Sequence, residues 1–176
     1  MKARLLWITL KLFAATSALS ADKIEGAFGK KLGDQFDPST AIGTGKLTDG
    51  TPMYRFSPTN EFRAFTDYFV LITPKTHRIW CIWAQGSTEN TDTGKKEQDL
   101  VMLILKDKYG EPKKQRAIDR LGDVKVIDQG NRCITTKLTG IAKVTFDVRY
   151  MDLLLSEQAD KEHLQEEARK VDKSGL

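Results

Sequence analysis

The chain has 176 residues, 40% of them apolar and 30% charged, which is the balance of a globular protein long enough to bury one core and not that of a disordered or fibrous chain. Its formal net charge is +4, but Lys2, Arg4 and Lys11 sit in a leader-like N-terminus without acids. Removing that segment leaves 25 basic against 24 acidic side chains, a net charge of +1. With basic residues gathered only in short clusters such as Lys30-Lys31 and Lys113-Lys114, this charge argues against nucleic acid as a partner.

Residues 1–20 read as a secretory signal peptide. Lys2 and Arg4 precede an apolar run through Leu5, Leu6, Trp7, Ile8 and Leu10, and Ala18 and Ser20 stand in the small-x-small relation that signal peptidase reads. Cleavage is expected after Ser20, with Ala21 as the near alternative, and the mature protein is expected to be periplasmic or secreted. The apolar run is far shorter than the roughly 20 residues of a membrane-spanning helix, so no stable membrane insertion is expected. The remainder divides into a single α+β domain over residues 21–150 and a C-terminal helix and tail over 151–176.

Residues 22–51 are rich in Gly, Asp, Ser and Thr and read as loops with one helical turn after Asp37-Pro38. Met53 to Phe56, flanked by Pro52 and Pro58, is predicted as a short edge strand. Residues 65–73, FTDYFVLIT, and 78–85, RIWCIWAQ, are two β-prone runs joined by Pro74-Lys75-Thr76-His77, a hairpin. Both runs are apolar on both faces, so each face needs a cover. Residues 95–109 are predicted to be that cover for one face, a helix with Leu100, Leu103, Ile104 and Tyr109 inward, ended by Gly110 and Pro112. Further strands are predicted at 123–128, 132–138 and 143–150. In the last, Val144, Phe146, Val148 and Tyr150 alternate with Thr145, Asp147 and Arg149 on a wet face. A charged helix over 151–171 follows, with a narrow stripe through Leu164, Ala168 and Val171. The expected fold is therefore α+β: a mostly antiparallel twisted sheet of five or six strands, one packed helix and a charged C-terminal helix.

No cofactor motif is present. Gly43-Thr44-Gly45-Lys46 lacks the first glycine and the Ser/Thr of a phosphate loop and reads as a surface turn, while Gly26, Gly29 and Gly33 have neither the spacing nor the preceding strand of a dinucleotide fingerprint. His163 and Glu167 are one helical turn apart, but no third or fourth ligand is indicated, so no metal is expected. Cys81 and His77 allow a thiol nucleophile only if the cysteine is activated, and Cys81 lies mid-strand in an apolar run. Cys81 and Cys133 either pair, which for a loop of that length stabilises by roughly 4 kcal/mol, or stay free and buried. Strict alternation sends Trp80 to one face of its strand, and Cys81 and Trp83 to the other. One tryptophan is then expected under the 95–109 helix and the other under the C-terminal segment or in an exposed patch. Trp80, Trp83, His77 and Tyr68 are the candidate binding residues.

The order of these pieces, GAFGKKLGD, then YFVLITPKTHRIWCIWA, a helix ending KYGEP, DQGNR and a terminal VDKSGL, resembles small uncharacterised exported bacterial α+β proteins. The resemblance covers most of the mature chain in layout and implies no activity, so no functional residue is carried over. The expected function is a non-enzymatic exported protein that binds a protein or envelope component. A small-ligand carrier with a pocket between sheet and C-terminal helix is the alternative, and a thiol or hydrolytic enzyme ranks below both.

Overall fold

The computed structural model describes residues 21–112, 123–140 and 143–170. The expected signal peptide, the charged linker near 113–120 and the chain after 170, with Val171, lie outside these residues. Two short segments, β1 (Gly26–Ala27) and β2 (Lys30–Lys31), form a small hairpin whose turn residues Phe28 and Gly29 both have positive φ, 56° and 84°. That is the pair of left-handed residues a tight two-residue turn requires. The turn aims the Phe28 ring at Tyr68, Phe65 and Tyr150 in edge-to-face packing, with centroids 5.0, 5.9 and 6.1 Å away. Asp37 caps a single 3-10 turn at Pro38–Thr40, as expected from Asp37-Pro38.

The main sheet has seven strands: β3 (Gly43–Lys46), β4 (Pro52–Arg55), β5 (Asp67–Ile72), β6 (Ile79–Thr88), β7 (Asp123–Asp128), β8 (Arg132–Thr139) and β9 (Val144–Asp152). They are antiparallel throughout, in the order β3-β4-β5-β6-β9-β8-β7. Gly43 to Lys46 is thus a strand and not a surface turn, and it takes the edge that Met53 to Phe56 was expected to hold. Lys46 pairs with Pro52 at the very end of the ladder, where proline's missing donor costs least.

Helix α1 (Thr91–Tyr109), capped by Asn90 Oδ1 on the Thr93 amide, covers one face. Its inward stripe is Gly94, Gln98, Val101, Met102, Leu105 and Tyr109; Leu103 and Ile104 point outward, 65% and 48% exposed. The stripe is rotated from the predicted one because two non-apolar residues lie on the inner side. Gly94 lets the helix approach so closely that a Cβ there would sit 2.7 Å from Leu138 Cδ1, and Gln98 Nε2 donates to Thr136 Oγ1 inside the core. The same core takes in Val70, Ile72, Ile79, Ile82, Ala84, Ile134, Leu138, Val144, Phe146, Val148 and Tyr150 of the sheet, joined by Ile24, Leu32 and Phe36 from the N-terminal segment. The alternation predicted for β9 holds, although Asp147 on its outer face is buried and not wet. Helix α2 (Leu153–Lys170) follows β9 with no linker. No helix among the described residues is long and apolar enough to cross a membrane.

Candidate functional site

The placement of α2 starts at its first turn. The Asp152 carboxylate accepts the Leu155 N–H at 3.2 Å and is ion-paired at 3.0 Å to Arg132, whose other nitrogens donate to the carbonyls of Ile24 and Leu32. Along one side of the helix, Gln158, Glu162 and Gln165 then meet the β5–β6 turn. Glu162 Oε2 accepts the Lys75 amide at 2.7 Å, Gln158 Nε2 donates to Glu162 Oε1 at 2.7 Å, and Lys75 Nζ donates to Gln165 Oε1. The turn is rigid enough to receive them, because Thr73 Oγ1 accepts the Arg78 amide at 2.9 Å and lies 2.6 Å from Thr76 Oγ1. Only Ala159 and Glu162 of α2 are buried; Leu153, Leu154 and Leu164 are left 41%, 56% and 66% exposed.

The neighbouring side of α2 forms the wall of a cleft of about 390 Å³. Ala159, Asp160, His163 and Leu164 stand on the helix side, Ile72, Pro74 and Trp80 come from the hairpin, and Asp49, Thr51 and Pro52 come from the β3–β4 connection. That connection is held in shape by hydrogen bonds from the Leu47 amide to the Thr51 carbonyl and from the Thr51 amide to Asp49 Oδ1, both 2.9 Å. The two hydrogen bonds from Thr51 hold the Asp49 carboxyl below the usual carboxylate range.

Trp80 reaches this cleft because of a bulge. Ile72 pairs with Ile79 and Leu71 with Cys81, so Trp80 has no partner on β5 and the side-chain alternation slips by one. Trp80 therefore packs with Cys81, Trp83, Leu71, Met53 and Met151, on the face opposite α1. The expected split of the two tryptophans over opposite faces, with one under α1, is overturned. Trp83 is 9% exposed, tilted against Phe69 at 5.4 Å and covered by the Arg149 guanidinium at 4.4 Å. Both indole Nε1 atoms are buried without a hydrogen-bond partner among the described residues.

The remaining candidates are not gathered here. Tyr68 lies in the α1-side core with its hydroxyl on the Phe62 backbone, 3.0 Å from the nitrogen and 3.3 Å from the oxygen. His77 is exposed in the hairpin turn, in the left-handed region at φ 51°, with backbone bonds to Thr73 and Phe36. Cys81 is 2% exposed, and burial pushes its thiol up to about 12, so at neutral pH it is protonated. Cys81 and Cys133 are both free. The register explains why they do not pair: each stands opposite Met151, one on either side of β9, so two strand spacings, roughly 9.5 Å, separate them. A disulfide needs Cα atoms within about 7 Å.

His163, singled out for its helical spacing from Glu167, lines the cleft instead. Among the described residues no three His, Cys, Asp or Glu side chains gather where they could hold a metal ion. Asp49, Asp160, Pro52 and Pro74 carry no sequence signal that marks them for a site, because the cleft joins three segments distant in sequence. No known protein family, no curated protein and no solved structure matches the chain.

Proposed function

We propose that this is a non-catalytic binding protein of the bacterial envelope, a small-ligand carrier whose site is the cleft between Trp80 and α2. The cleft itself carries the reading. It falls in the size range of small-molecule sites and presents apolar surface from Ile72, Pro74, Trp80 and Ala159 with a few polar groups at its margin. The exported location rests on the leader-like N-terminus. A non-catalytic role is supported by the protonated thiol of Cys81, which is buried while His77 is exposed in the hairpin turn.

Titration of the mature protein with the neutral apolar fluorophore N-phenyl-1-naphthylamine tests this. Saturable one-to-one enhancement is expected, lost when Ala159→Phe fills the cleft and weakened by Leu164→Glu, which alters an exposed side chain and leaves the core intact. Absence of enhancement, or enhancement unaffected by both substitutions, overturns the reading.

A second reading, in which the occupant is a protein, is favoured by the exposed leucines of α2, since Leu164 stands at the cleft mouth 66% exposed. Its test is recovery of one envelope protein by the wild type and its loss with Leu154→Glu/Leu164→Glu.

A further inference from the structure

The walls of the Trp80 cleft carry a charge pattern that an apolar cavity does not need. Asp49 contributes a carboxylate from the β3–β4 connection and Asp160 contributes one from α2, while among the described residues no lysine or arginine lines the cleft. Lys75, in the adjoining turn, is turned to Gln165 on the other side of the helix. Neither carboxylate is ion-paired with a described residue; the hydrogen bonds that Asp49 accepts from Thr51 come from only two residues away. His163 stands within electrostatic reach of Asp49 and is, among the described residues, the one basic side chain in the lining.

Two carboxylates beside an indole ring and an apolar wall are complementary to one ligand chemistry. A cation is attracted by each carboxylate and by the face of a tryptophan ring, and an alkyl or aryl body is removed from water against proline, isoleucine and indole surface. An anion meets the same two carboxylates as repulsion. A neutral ligand leaves them unused.

We propose that the cleft selects organic cations: a free small amine whose apolar body lies against Ile72, Pro74 and Trp80 and whose ammonium group faces Asp49 and Asp160. This rests on the reading of the cleft as a ligand site, and the two are tested separately by a series of ligands that share one chain and differ in charge.

Hexylammonium, 1-hexanol and hexanoate are titrated into the mature protein by calorimetry at neutral pH and low salt. Hexylammonium is expected to bind about tenfold more tightly than hexanol, the size of two exposed ion pairs with a cation–π contact, and hexanoate to bind least. The preference for the cation falls as salt is added. Asp49→Asn together with Asp160→Asn brings hexylammonium down to the level of hexanol; both positions lie outside the core, and circular dichroism checks that the variant is folded. Equal affinity for hexanol and hexylammonium in the wild type overturns the cation selectivity while leaving the cleft as a site. Failure of all three to bind overturns the site and the selectivity together.

Discussion

The backbone amide of Lys75 donates to Glu162 Oε2 at 2.7 Å, joining residues 87 apart in the chain, and this bond ties α2 to the hairpin turn beside Trp80. Glu162 is 8% exposed, so its removal strands a sheltered amide without an acceptor. Glu162→Ala is expected to lower the unfolding free energy by about 1–3 kcal/mol, and Glu162→Gln, which keeps an acceptor oxygen, by less. Urea titration measures the difference, and faster hydrogen exchange at the Lys75 amide in the alanine variant locates it.

The two thiols are expected to remain free under oxidising conditions, because Met151 stands between them in the same register row. Non-reduced mature protein treated with a mild oxidant should show no intramolecular bridge by mass spectrometry. Cys81 should also resist alkylation at neutral pH until the chain is unfolded.

Stability is expected to fall on the alkaline side. Burial raises the Cys81 thiol from 9.0 to about 12, so above pH 9 the unfolded chain releases a proton that the folded chain keeps, and unfolding gains free energy with each further unit. The contribution is fully present below pH 9 and is lost between pH 9 and about 12, at up to about 1.4 kcal/mol per unit. Burial raises the Tyr150 hydroxyl too, which adds in the same direction. Denaturation midpoints between pH 7 and 11 should show the decline, and Cys81→Ala should flatten part of it.

Arg149 serves two groups at once. It covers the Trp83 ring at 4.4 Å and stands 3.3 Å from Asp147, whose carboxyl burial pushes upward. Arg149→Ala is expected to destabilise by about 2–4 kcal/mol, because it leaves a buried carboxylate without its partner. Adding Asp147→Asn should recover part of that loss, and a double-mutant cycle reads the coupling. Trp83 emission should shift on loss of the guanidinium.

The hairpin, α1, β7 to β9 and α2 are legible in the chain because their apolar periodicities are long and their ends are punctuated by Gly110, Pro112 and the Gln129-Gly130 turn. Strand β3 is not, since GTGK has no apolar pattern and is ordered only by pairing with Pro52 to Arg55. The inner stripe of α1 is misread because apolarity alone assigns Leu103 and Ile104 inward, whereas Gly94 and Gln98 are fixed by contacts with Leu138 and Thr136. The position of Trp80 fails for one reason: period-two alternation assumes an unbroken ladder, and a single bulge opposite Ile72 reverses it. The cleft follows from that slip together with the docking of α2, and neither leaves a local mark in the sequence.

On the proposed function, Trp80 and not Trp83 faces the bound ligand. In ¹H–¹⁵N spectra of the mature protein each of these tryptophans gives one indole signal, assigned with Trp80→Phe and Trp83→Phe. On titration with N-phenyl-1-naphthylamine the Trp80 signal should move with a saturable curve while the Trp83 signal stays within its linewidth. An unmoved Trp80 signal, or a Trp83 signal that moves in its place, would rule out the Trp80 cleft as the site.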